Sequence, residues 1–168
     1  MLEPVVLNLA PLTELLQQFL ATHQRLLSLA RSRQEAMRTY DVARLNELLE
    51  RERQEAQGLE KLERQRKGVL IQLRLQLGMA ANPTVSQIAE RCGEPARSQL
   101  LGLAGTLKAT VEELGRINRI NAKVSQGVAV GLARVLSVMT GLAQHAGMYM
   151  ANGRKAVIRG IHLLDALA

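Results

Sequence analysis

A chain of 168 residues has the length for one domain with its own core. It contains no Trp, one Phe and two Tyr, while Leu, Ala, Arg, Gln and Glu dominate, so the residues that strands use are scarce and long helices are expected. The single cysteine, Cys92, excludes an internal disulfide and every multi-cysteine metal site, and the formal charge of +7 is unevenly placed. Residues 1–115 carry 15 basic and 14 acidic side chains, a net of +1, whereas residues 116–168 carry seven basic and one acidic, a net of +6.

The opening Met1-Leu2-Glu3-Pro4 lacks the basic, apolar and small-residue pattern of a signal peptide, so a cytoplasmic protein is expected. From about residue 5 to residue 39 the spacing predicts one long helix. Its seam runs Leu9, Leu12, Leu16, Phe19, His23, Leu26, Ala30, Arg33, Met37 and Tyr40, in alternating steps of three and four that keep one stripe facing a partner helix. Thr39 to Asp41 reads as a break or tight turn, with Asp41 able to cap a second helix over 42–77. In that helix Val42, Leu45, Leu49, Ala56, Leu59, Leu62, Leu70, Leu73 and Leu77 form the stripe, and Gly58 and Gly68 each weaken it by about 1 kcal/mol relative to Ala. Glu47 with Arg51, Glu60 with Arg64 and Glu63 with Lys67 are i, i+4 pairs, worth about 0.2 to 0.5 kcal/mol each, which mark a solvated face.

Gly78 and Asn82-Pro83 end the second helix. Thr84 and Gln87 resemble a capping box opening a short connector helix over 85–92, whose apolar side would hold Val85, Ile88, Ala89 and Cys92. A last long helix spans 96–146 with the seam Leu100, Ala104, Leu107, Val111, Leu114, Asn118, Asn121, Ser125, Val128, Leu132, Val135, Met139 and Leu142. Asn118, Asn121 and Ser125 interrupt it with polar residues, a pattern that lowers stability while fixing register or partner choice. The spacing also allows a buried face rotated by one position, with Ile117, Ile120 and Val124 beside it and the asparagines at its boundary.

The expected fold is therefore all-α: an elongated antiparallel helical bundle or coiled coil of long helices, with a short connector helix, over residues 1–146. Helices of this length reach about 45 to 70 Å, which makes a rod. Residues 147–168 form a separate tail, with an Asn152-Gly153 turn signal followed by Val157, Ile158, Ile161, Leu163, Leu164 and Leu167 among basic residues. That tail is amphipathic and suits either docking on an apolar groove or folding back on the bundle.

No grouping of residues supports catalysis. His23, His145 and His162 lack a ligand spacing, Glu112 and Glu113 point about 100 degrees apart on a helix, and no glycine loop cradles a phosphate, so neither metal nor cofactor is expected. Gly127 to Ala143 is apolar around most of its circumference, but it runs for only 17 residues with Arg134 near its centre, where a charge costs about 2.5 to 3.5 kcal/mol on insertion. Core packing is expected there rather than a membrane span, a second copy or a client being the other ways to bury it.

The residue pattern over roughly 9–154 resembles the FlgN-type flagellar export chaperones. The match is carried by His23, Leu26, Leu27 and Ala30, by Glu35-Ala36, and by Asp41 with Leu45, Leu48 and Leu49. Glu60, Leu62, Glu63 and Arg64 add to it, as do Asn118-Arg119-Ile120-Asn121-Ala122-Lys123-Val124 and Tyr149 with Gly153. The resemblance implies a cytosolic chaperone, not an enzyme. Such a chaperone binds the C-terminal helices of hook-filament junction (hook-associated) proteins, keeps them from premature assembly and delivers them to the type III export gate. It further implies that Tyr149 touches the export gate and that the segment after Gly153 belongs to the client-binding region. Two departures are the extended connector from Asn82 to Pro95 and the absence of an acidic residue in Met148-Tyr149-Met150-Ala151.

The expected partner-binding residues are Asn118, Asn121, Tyr149, Gly153, Val157, Ile158, Ile161 and Leu164. Self-association is a further way to satisfy the apolar faces, and no small-molecule substrate is implied. Two rival readings stay open. One is another coiled-coil flagellar adaptor or regulator, and the other is nucleic-acid binding through Arg116, Arg119, Lys123, Arg134, Arg154, Lys155 and Arg159. The scarcity of aromatic stacking residues and the absence of a known DNA-reading motif rank the second below protein binding.

Overall fold

The structure, a computed structural model, describes residues 8–79 and 83–146. Among them are four helices and no strand: α1 (Ala10–Arg38), α2 (Val42–Leu77), α3 (Val85–Glu90) and α4 (Ala96–Ala146). The chain divides into two compact units, residues 1–123 and residues 124–168, so that α4 contributes to both.

Local chemistry sets the helix ends in the first unit. α1 begins at Ala10, later than the expected start near residue 5, because the Asn8 side chain takes the Ala10 N–H at 3.2 Å and Pro11 follows in the first turn. At its other end Asp41 N–H donates to the Ala36 carbonyl at 3.0 Å and Tyr40 N–H to the Met37 carbonyl at 3.4 Å, the paired closure of a Schellman turn. Such a turn needs a left-handed residue, and Tyr40 supplies it with φ of 55°. Asp41 then serves the next helix as well, its carboxylate accepting the Arg44 N–H at 3.0 Å.

α2 runs unbroken through Gly58 and Gly68 and stops at Gly78, whose φ of 59° is left-handed. Among its surface pairs Arg51–Glu47 closes at 2.6 Å as expected, but Glu63 turns to Arg66 at 2.9 Å instead of Lys67. These side chains are largely exposed and contribute little stability. The capping box of α3 is complete: Gln87 N–H donates to Thr84 Oγ1 at 3.2 Å and Thr84 N–H to Gln87 Oε1 at 2.9 Å. α3 ends at Glu90, before the expected residue 92. Cys92 beyond it donates its thiol to the Ile88 carbonyl at 3.1 Å, and burial raises its pKa, which disfavours the thiolate. Glu94 opens α4 by accepting from both the amide and the hydroxyl of Ser98.

The core gathers Leu12 and Leu16 of α1, Leu73 of α2, Ile88 and Ala89 of α3 and Leu100 of α4. Pairing order gives the helix directions. Leu12 and Leu73 share one cluster while Arg33 pairs with Glu52, so α1 and α2 are antiparallel; Leu100 shares the cluster of Leu12 while Glu113 and Asn118 reach Arg31 and Arg33, so α4 runs parallel to α1. The result is an all-α bundle. Apolar residues at steps of three and four on each helix meet in one interior, as in any bundle of this kind.

The buried stripe of α4 departs from the primary seam toward the rotated alternative, with Ile117 buried and Ile120 and Val124 half-buried, although Asn121 stays inside. Leu100, Leu107, Leu114 and Asn121 face inward as expected, but Val111, Asn118 and Ser125 are exposed and Thr110, Ile117 and Val124 take the inward side. A straight helix has 3.6 residues per turn and drifts against a 3.5-residue repeat, so the inward face slips by one position along its length. On α1 the same drift buries Thr22 and Ala36, and Tyr40 is 77% exposed rather than part of a seam.

Candidate partner-binding surface

Within the first unit, the two asparagines expected to bind a partner are engaged inside the chain. Asn121 is 2% exposed and its Nδ2 donates to the Ala30 carbonyl of α1 at 2.8 Å, so in this conformation it presents no surface outward. Asn118, on the exposed side, accepts from Arg33 Nη2 at 2.8 Å through Oδ1. Arg33 also holds Glu52 of α2 at 2.8 Å, both side chains less than one-fifth exposed. One guanidinium therefore ties three helices together.

This polar layer is incompletely satisfied: Arg33 Nε, Glu52 Oε1 and Asn121 Oδ1 are buried with no hydrogen-bond partner. Burial raises the Glu52 carboxyl above its usual range, and the Arg33 charge only partly offsets this. Such a layer gives less stability than apolar packing but disfavours shifted pairings, in which its charges would be buried alone. Sequence reasoning placed Arg33 in the α1 seam without naming its partner. The signal was there, since a cation in an apolar stripe requires an acid on a facing helix, but the choice of Glu52 among the many α2 acids needs the fold.

In the second unit the described chain is the C-terminal half of α4. The expectation that its apolar circumference is core does not hold among the described residues. Val128, Val130, Leu132, Val135, Leu136, Val138 and Met139 are all exposed, Leu132 at 58% and Met139 at 61%. These residues point in several directions around the helix, so no single stripe is turned inward. Gly127, Gly131 and Gly141 lie among them, and a methyl group added at any of the three would meet no atom within 4 Å. Gly costs about 1 kcal/mol per position in a helix relative to Ala. At Gly127 and Gly131 no close side-chain approach among the described residues accounts for that cost, and the open positions leave backbone accessible to a partner helix. Arg134 is exposed in the middle of the apolar run and has no ion-pair partner among the described residues.

By length and composition α4 is the one helix among the described residues apolar enough to cross a membrane. No group of His, Cys, Asp and Glu side chains among the described residues could hold a metal ion. His23 Nδ1 lies 2.8 Å from the Phe19 carbonyl and its ring tilts against Phe19, a packed and half-buried placement. Tyr149, Gly153, Val157, Ile158, Ile161 and Leu164, the remaining expected partner-binding residues, lie outside the described residues.

No curated protein and no solved structure matches the chain. A family model described as FlgN protein matches residues 1–156, which covers the whole polar layer and the exposed half of α4. The match spans nearly the whole of this all-α bundle, and the chain belongs to the FlgN family.

Proposed function

We propose that this flagellar export chaperone binds the C-terminal helices of hook-filament junction proteins on the exposed half of α4, keeps them from premature assembly and delivers them to the type III export gate. The carrying observation is the run of exposed apolar residues from Val128 to Met139. A client with an amphipathic terminal helix would otherwise self-associate through its apolar face, and a second apolar helix can cover that face without any chemical step. Family membership supports the chaperone role and a cytoplasmic location.

In this reading residues of the tail also take part in binding. Tyr149 contacts the export gate, and Gly153 with Val157, Ile158, Ile161 and Leu164 completes the client site, as the family resemblance implies. Asn118 and Asn121 contribute indirectly, by holding α4 in register with α1.

Co-purification with hook-filament junction proteins from the same cell tests the proposal. The full chain should capture them, whereas the pair Leu132→Ser and Leu136→Ser should weaken capture by about tenfold or more with an unchanged helical spectrum. A chain ending at Ala146 should lose client or gate binding and stay folded. Undiminished capture by the double variant would remove the α4 surface from the mechanism, and capture by no form would leave a helical adaptor for some other partner.

A further inference from the structure

The outward face of α2 near its C-terminal end carries Lys67, Ile71, Arg74 and Leu75 at helical spacing. Ile71 is 55% exposed and Leu75 69%. Beside this ridge lies an open groove of about 510 Å³, bounded on its other side by Pro83 and Thr84 where α3 begins. Leu70 packs against the core cluster, Pro83 is buried, and the capping box of Thr84 and Gln87 opens α3.

The groove is also basic. Arg66, Lys67 and Arg74 line it with no carboxylate among them, and no acidic residue occurs from Arg64 to Ala89. Arg66 is engaged by Glu63 at 2.9 Å, but Lys67 and Arg74 have no ion-pair partner among the described residues. An apolar floor flanked by unpaired cations complements a ligand that is apolar on one side and anionic at its margins. None of its lining residues is aromatic, so it offers no aromatic ring on which a nucleobase could stack, which favours peptide over nucleic acid.

We propose that this groove docks a short acidic, amphipathic helical segment of a partner protein, its apolar side chains on Leu70 and Ile71 and its carboxylates on Lys67 and Arg74. The groove lies in the first unit and shares no residue with the exposed half of α4. The chain therefore carries a second protein-binding surface, independent of the client site.

The full-length protein is titrated into a fluorescein-labelled helical peptide carrying Leu at i, i+3 and i+7 with Glu on both flanks, and into its Lys-for-Glu counterpart, with anisotropy as readout. The Glu peptide should bind saturably and the Lys peptide should not. The pair Lys67→Glu and Arg74→Glu, and separately Ile71→Ala, should each weaken binding by about tenfold or more with an unchanged helical spectrum. The pair Leu132→Ser and Leu136→Ser should leave it unchanged. Absence of saturable binding, equal binding of the Lys peptide, indifference to the groove variants, or displacement by an unstructured oligonucleotide would each overturn the inference. Peptide binding lost only in the α4 variants would overturn it while supporting the client site, and groove binding without capture of junction proteins would do the reverse.

Discussion

Replacing Asn121 by Leu is expected to stabilise the protein. Asn121 is 2% exposed at an inward position of α4, where its amide donates once to Ala30 and its own oxygen has no partner. Three contributions decide the sign. The lost hydrogen bond costs about 0.5 to 1.5 kcal/mol, removal of the unsatisfied oxygen returns about 1 to 3 kcal/mol, and burying a Leu side chain adds about 1.5 to 3 kcal/mol. Allowing for imperfect fit of the branched side chain, the net gain is about 1 to 3 kcal/mol. Asn121→Ala loses the bond and leaves a void but also removes the unsatisfied oxygen, so it should change stability by no more than about 1 kcal/mol. Urea unfolding followed by far-ultraviolet circular dichroism reads both as midpoints at constant slope, clearly upward for Leu and little changed for Ala. A Leu variant with a lower midpoint would refute the reasoning, because it would mean that the buried oxygen is satisfied and that the asparagine is a stabilising contact rather than a device for register.

The Glu113 carboxyl is held down to about 2 by its hydrogen bond to Arg116 and, further, by Arg31 of α1. Its folded value is depressed, so the stability it provides is present above the unfolded value near 4.5 and fades as pH falls toward 2; Glu113→Gln should flatten the decline of thermal stability across that window, and an unaltered decline would count against the cluster. All three side chains are partly exposed, and added salt should shrink the effect. Tyr40→Gly should raise the melting temperature by the equivalent of about 1 kcal/mol, since φ of 55° strains a residue with a β-carbon and the 77% exposed ring gives up little packing; a lower melting temperature would show that the ring contributes more than its exposure suggests.

The all-α class and most helix ends were legible in the chain itself. Asp41, Gly78 and the Thr84–Gln87 pair act through hydrogen bonds that reach no more than a few residues along the backbone, so local sequence determines them. Two ends differ from the expectation: α1 starts at Ala10 rather than near residue 5, and α3 stops at Glu90 rather than residue 92. What only the tertiary structure decided was which side of each helix faces inward and which charge meets which. On α4 the inward face passes from the expected Val111 and Asn118 to Thr110 and Ile117, while Asn121 stays inside, and beyond Val124 the apolar residues stay exposed. Among several candidate acids on α2, Arg33 takes Glu52. Steps of three and four permit two neighbouring stripes on a 3.6-residue helix, and many acids share one α2 surface; only the distances set by packed neighbouring helices select among them.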